Sequence, residues 1–194
     1  MDDGYSGVDG YAVKWSTSAS DLPSATKTHE ENSRSSNSGA LSTGDWYCHI
    51  RSKDNAGNWG VDAATIGPFR VDATLPSEPS GITSNQNGNW NRTSNVFNII
   101  WSGAFDGQSG IARYYYVLDK TSGTIPTTAD PYITHPTQSF QTSLADGIWY
   151  FHVRPADAVG NLADNTLEVM AKIDIKGPGN VTALRGYNPW SVVS

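Results

Sequence analysis

Cysteine occurs once in 194 residues, at Cys48, so no disulfide can close within the chain. No positioned cation or base is indicated that would activate the thiol, and its place in an alternating apolar segment points to a small buried hydrophobe. Positive charge is also short: 13 Lys and Arg stand against 19 Asp and Glu, for a formal net charge of -6. No basic patch forms, which argues against a nucleic-acid partner. There is no long apolar run, so no membrane span is expected, and no signal-peptide pattern opens the chain. Helix formers such as Ala, Leu and Met are sparse beside Ser, Thr, Asn, Gly, Tyr and Trp, a usage that favours strands joined by turns.

What the chain does contain is one phrase written twice. WYCHIRSKDNAGN begins at Trp46 and WYFHVRPADAVGN at Trp149. A constant offset of 103 aligns residues 3–59 with 106–162 without a gap, and sixteen of the 57 pairs are identical. VDATLP at 71 and IDIKGP at 173 continue the match at an offset of 102. A gapless match of this length is a strong internal-repeat signal.

Each copy reads as antiparallel β. Trp149, Phe151 and Val153 alternate with Tyr150, His152 and Arg154, and Trp46, Cys48 and Ile50 with Tyr47, His49 and Arg51. A period of two assigns the first set of each to the core face. His49 and His152 are then expected on the wetter face, as cross-strand surface side chains. Further strands are expected at Gly81, over Val96–Trp101 and Arg113–Leu118, and ending at Leu144 and Ile173. The first copy should match these around Tyr11–Trp15, Trp46–Ser52 and Gly67–Val71. Short strands with turns every 8 to 15 residues suggest a sandwich. Residues 16–40, polar and without period, read as a long mobile connection.

These residues resemble tandem fibronectin type III repeats of the kind found in bacterial and archaeal surface proteins. Trp101 matches the family's second-strand Trp. YAVKW from Tyr11 matches its third-strand aromatic pattern, while YYYVL from Tyr114 ends in Leu. Leu41/Gly44 and Leu144/Gly147 match the approach to the sixth strand. DNAGN from Asp54 matches the turn after it, and DAVGN from Asp157 departs by one Val. The resemblance implies an all-β chain of tandem immunoglobulin-like sandwiches. The first unit, 1–75, would be incomplete and lack its first two strands. Residues 76–174 would form a complete unit and 175–194 the start of a further one. Two arrangements account for this: a window on a longer array, or assembly, in which the C-terminal strand of one molecule docks into the first unit of the next by strand addition.

The acids have two readings. Asp3, Asp54, Asp106 and Asp157 precede Gly or Gly-Asn, where a carboxylate caps backbone N–H groups of a turn. The resemblance adds that the loops bearing Asp106 and Asp157 share a pole with linker residue Asp72. Asp3 and Asp54 would gather likewise with a neighbour's Asp174. Such carboxylates, with Asn161 or Asn58 carbonyls, are the hard oxygen ligands that calcium takes, and an ion there would stiffen the linker.

No GxSxG, HExxH, P-loop or CxxC motif occurs, so no enzyme is expected and no cofactor beyond calcium. Trp59, Trp90 and Trp190 lie near turns, where they could offer platforms to glycans or cell-surface proteins, or cover the ends of a small core. Asn91 and Asn180 head glycosylation sequons. The expectation is an extracellular or cell-surface spacer or adhesion segment, partnered by neighbouring copies or repeats and usable as a filament subunit. The alternative is an accessory carbohydrate- or protein-binding module of a secreted hydrolase.

Overall fold

The computed structural model describes residues 5–86, 88–92, 97–140 and 144–180, and every regular element among them is a strand. The chain divides into two compact units. One comprises Met1–Leu75 with Asp106–Gly110 and Asp157–Asn161; the other comprises Pro76–Phe105, Ile111–Ala156 and Leu162–Ser194.

The first unit is one antiparallel sheet. Its strands are β1 (Val8–Ser16), β2 (His29–Glu30), β3 (Gly44–Asp54) and β4 (Ala64–Val71), in the order β2-β1-β3-β4. Register places Trp15 beside Cys48, Val13 beside Ile50 and Cys48 beside Ile66.

The second unit has two sheets. Its strands are β5 (Gly81–Ser84), β6 (Trp90–Asn91), β7 (Phe97–Ser102), β8 (Ile111–Asp119), β9 (Tyr132–Ile133), β10 (Thr137–Phe140), β11 (Gly147–Asp157) and β12 (Leu167–Ile173). One sheet runs β10-β7-β5 and the other β6-β12-β11-β8-β9. This is the all-β, fibronectin type III-like sandwich that the sequence resemblance implies. Along β7 the side chains alternate, with Phe97, Ile99 and Trp101 buried and Asn98, Ile100 and Ser102 exposed. The buried three meet Tyr114, Phe151, Val153, Ala171 and Ile173 of the facing sheet. Trp101 stands edge-on to Tyr114 at 5.4 Å and lies 5.6 Å from Phe151. Burial of each large apolar side chain contributes about 1.5–3 kcal/mol.

The expected core face holds, for Phe151 and Val153 are fully buried and Trp149 packs at the core edge. The opposite face is not wet, and this corrects the expectation for the histidines. His49 and His152 are 0% exposed. In each unit the chain leaving β1 or β8 folds back over this face and roofs it. Arg51 donates from Nε to Gly60 O at 2.6 Å and from Nη1 to Pro23 O at 3.2 Å. Arg154 repeats both bonds, to Ala163 O at 2.6 Å and Pro126 O at 3.2 Å. His49 Nε2 meets Ser18 O at 2.9 Å, and His152 Nε2 meets Thr121 O at 3.0 Å. The repeated His-x-Arg therefore clamps a roof of backbone carbonyls, those of the buried Pro23, Pro126 and Ala163 among them.

Residues 16–40 are likewise not a featureless connection. They supply the roof over His49 and Arg51 and the strand β2, which pairs Glu30 with Gly10 and His29 with Tyr11. The strands β2, β6 and β9 have two residues each and carry no readable alternation. The turns after β3 and β11 match as expected, with Gly57 and Gly160 at φ of 95° and 101°, a conformation that favours glycine.

Candidate functional site

The residues that fill a closed core in the second unit line an open groove in the first. Among the described residues of the first unit, no second sheet faces β1, β3 and β4. Their apolar side chains border a groove of about 500 Å3: Tyr11, Val13 and Trp15 from β1, Cys48 and Ile50 from β3, and Ile66 and Phe69 from β4. Ile66 is 54% exposed and Phe69 41%, although Phe69 keeps a ring contact with Trp15 at 5.3 Å. The Cys48 thiol lines this groove, and burial pushes its pKa up, so it is not an activated nucleophile.

The far wall of the groove is made by Ser33, Arg34, Ser35 and Ser36. At the repeat offset of 103, residues 34–37 correspond to β10, which in the second unit pairs with β7. The groove thus occupies the place that β7 fills in the second unit. Its lining suits one extended segment with apolar side chains on alternate residues.

A second feature of the first unit is acidic. One carboxylate oxygen from each of Asp72, Asp106 and Asp157 lies within 4.8 Å of the others. All three are also turn caps. Asp106 Oδ1 accepts from the backbone N–H groups of Gln108, Ser109 and Gly110. Asp157, 1% exposed, accepts from those of Val159, Gly160 and Asn161, and its Oδ2 takes the Asn161 amide at 2.7 Å. Asn161 Nδ2 also donates to Asp72 O and Thr74 O, joining the segments by its amide hydrogens and not by its carbonyl. Asp72 Oδ1 takes the Thr74 hydroxyl at 2.7 Å, while its Oδ2 is shielded and closes no hydrogen bond. The nearby hydroxyl of Ser109, and then that of Thr74, hold the Asp72 carboxyl below the usual range.

Asp54 accepts from Asn58, both backbone at 2.7 Å and side-chain amide at 2.9 Å, and that amide lowers its pKa. Asp174 is exposed, and its Oδ1 takes Lys176 N at 3.3 Å. Asp3 and Trp190 lie outside the described residues, as does the tail from 181 onward. Trp59 lies under the Arg51 guanidinium, 5.7 Å from its ring centre, and is half-buried. Trp90 is 60% exposed on β6. The Asn91 amide is engaged with Gln86 O and Asn89 O, whereas Asn180 is exposed.

The sequence pointed to the acids but missed the roof clamps. Their signal was present in the identity of His, Arg and the distant Pro23/Pro126 in both copies. Among the described residues, no helix is long and apolar enough to cross a membrane.

No family model matches the sequence, and neither does any curated protein. Among solved structures, the fold is similar to the rat CD45 extracellular region, domains d3-d4, at 11% identity and TM-score 0.43, over 78% of this chain and 77% of that one. It is similar to chicken CNTN1 FN1-FN3 domains at 11% identity and TM-score 0.40, over 89% and 60%. The fibronectin(III)-like modules of Clostridium thermocellum CbhA match at 13% identity and TM-score 0.35, over 91% and 82%. The likeness concerns the fold alone, which on this chain's own strand order is a fibronectin type III-like sandwich.

Proposed function

We propose that this chain is a non-catalytic structural segment of an extracellular repeat protein, and that its first unit is completed by a strand from a neighbouring copy or repeat. The observation that carries the reading is the open apolar groove of the first unit, set where the second unit holds β7. A sheet with one apolar face needs a covering layer, and a strand laid into the groove supplies main-chain pairing and core side chains together. Because donor and acceptor are different surfaces, such joining propagates instead of closing, and its product is a filament. The repeated residues also favour a structural role. The shared Arg and His residues are spent on roof carbonyls, and the lone thiol is held protonated by burial.

Size-exclusion chromatography and electron microscopy over a concentration series test this. The intact chain should form end-to-end oligomers, and Phe69→Asp, which charges the groove, should abolish them. Monomers at every concentration in the intact chain would end the reading of completion by a neighbouring copy.

A second reading concerns calcium at Asp72, Asp106 and Asp157. It is supported by the gathering of their oxygens within 4.8 Å and by the shielded, unpaired Oδ2 of Asp72. Hard oxygen donors suit the ion, and binding to the folded state alone would raise the unfolding temperature. Calorimetry in calcium against chelator should show that rise, and Asp72→Asn should remove it. Identical curves for the unsubstituted chain would exclude the site.

A further inference from the structure

The two copies of the buried histidine have different neighbours. In the first unit, His49 Nε2 lies 2.9 Å from Ser18 O and 3.2 Å from Ser16 Oγ, while Nδ1 lies 2.9 Å from Thr65 Oγ1. A carbonyl accepts and a hydroxyl can donate, so a neutral ring with its hydrogen on Nε2 satisfies every partner.

In the second unit the equivalent positions, at the same offset of 103, are Asp119, Thr121 and Glu168. His152 Nε2 lies 3.3 Å from Asp119 Oδ1 and 3.0 Å from Thr121 O. Its Nδ1 faces Glu168 Oε2 at 3.4 Å and closes no hydrogen bond. These three polar neighbours of the ring are acceptors, two of them carboxylates. The Tyr150 ring also lies beside it, stacked at 6.3 Å. Lys120 is engaged elsewhere, on Asp146 O and over the Trp149 ring. A ring with hydrogens on both nitrogens has an acceptor for each, whereas a neutral ring turns a lone pair toward a part-exposed carboxylate.

The same two carboxylates hold the roof. Asp119 takes Thr121 N at 2.9 Å and the Thr124 hydroxyl at 2.7 Å. Glu168 takes Gly123 N at 2.8 Å and the Ser122 hydroxyl at 3.2 Å. We propose that His152, Asp119 and Glu168 form a proton-dependent latch on residues 121–124 of the second unit, for which the first unit has only a proton-independent counterpart. Gain of a proton by His152 closes the latch through a charge-assisted bond to each carboxylate. Its loss on the alkaline side leaves the two carboxylates facing an uncharged ring, and the roof loosens. Histidine is the side chain whose ordinary titration spans pH 5 to 8.

The test uses the full chain. Ring resonances of the histidines and amide exchange, corrected for its intrinsic pH dependence, are followed from pH 5.5 to 8.5. Protection at residues 121–124 should fall at least about tenfold with rising pH, the size of losing one charge-assisted hydrogen bond. Protection at 18–21 should stay level. In His152→Gln, which keeps both carboxylates but cannot take the second proton, the fall at 121–124 should disappear. Should that variant misfold, the comparison of His152 with His49 inside the unsubstituted chain decides alone. Level protection at 121–124, or a His152 ring without its second proton at pH 5.5, overturns the latch.

Discussion

Phe151 and Cys48 occupy the same position in the two copies, and exchanging their chemistry separates a closed core from an open one. Phe151 is 0% exposed, with Trp101 at 5.6 Å and Tyr116 at 5.8 Å. Phe151→Cys removes a ring from a packed interior. Phe→Ala changes there cost about 3–5 kcal/mol, and the retained sulfur brings this to about 2–4. For a unit of this size each kcal/mol lowers the midpoint by about 4–8 °C, so the second unit's transition should fall by roughly 10–30 °C. Cys48→Phe adds a ring at the lining of a groove of about 500 Å3. In a closed core such overpacking costs about 1–3 kcal/mol, whereas beside an open groove the change should stay within about 1 kcal/mol. Calorimetry gives the midpoints, and exchange mass spectrometry assigns each transition to its unit. Equal destabilisation by the two substitutions would refute the open-face reading, since it would show Cys48 as tightly enclosed as Phe151.

Arg154→Met keeps the apolar stem but leaves Ala163 O and Pro126 O without their donor, so denaturant unfolding should show a loss of about 1–3 kcal/mol for each carbonyl left dry. A peptide carrying Phe97–Ser102 should slow the labelling of Cys48 by a thiol reagent, because Cys48 lines the groove that stands in the place of β7; an unchanged rate would show that the groove takes no strand. The Asp54 carboxyl is held below its usual range by Asn58, so its contribution to stability is full above the unfolded value of about 3.9 and is lost as pH falls through the lower folded value. Asp54→Asn should therefore flatten the acid limb of the first unit's stability curve, measured by denaturation between pH 2 and 6.

How much was legible depends on distance along the chain. The alternation Trp-x-Phe-x-Val in β11 is local and gave the core face directly. The Asp-Gly corners are local too, since an aspartate caps N–H groups two to four residues ahead. The burial of His49 and His152 was not legible, because the cover comes from residues about 30 positions earlier. Alternation says which residues share a face, not whether that face is wet. Asp72 could be placed beside Asp106 and Asp157 only through the family resemblance, as no period links positions 72, 106 and 157. The two-residue strands were missed for the opposite reason, being too short to alternate.

The repeated phrase therefore encodes two faces of one strand, and the copies diverge where the surroundings diverge. On the inner face Phe151 meets Trp101 from a second sheet, whereas Cys48 borders an open groove, and the smaller residue stands where the facing strand is absent from the described unit. On the outer face His and Arg are kept in both copies, because both roofs present carbonyls at the same places. The partners of the histidine change from Ser16 and Thr65 to Asp119 and Glu168 without disturbing that frame. A residue preserved between the copies thus marks a backbone group that needs a donor. A residue that differs marks where each unit meets something of its own, and in the first unit that place is the groove.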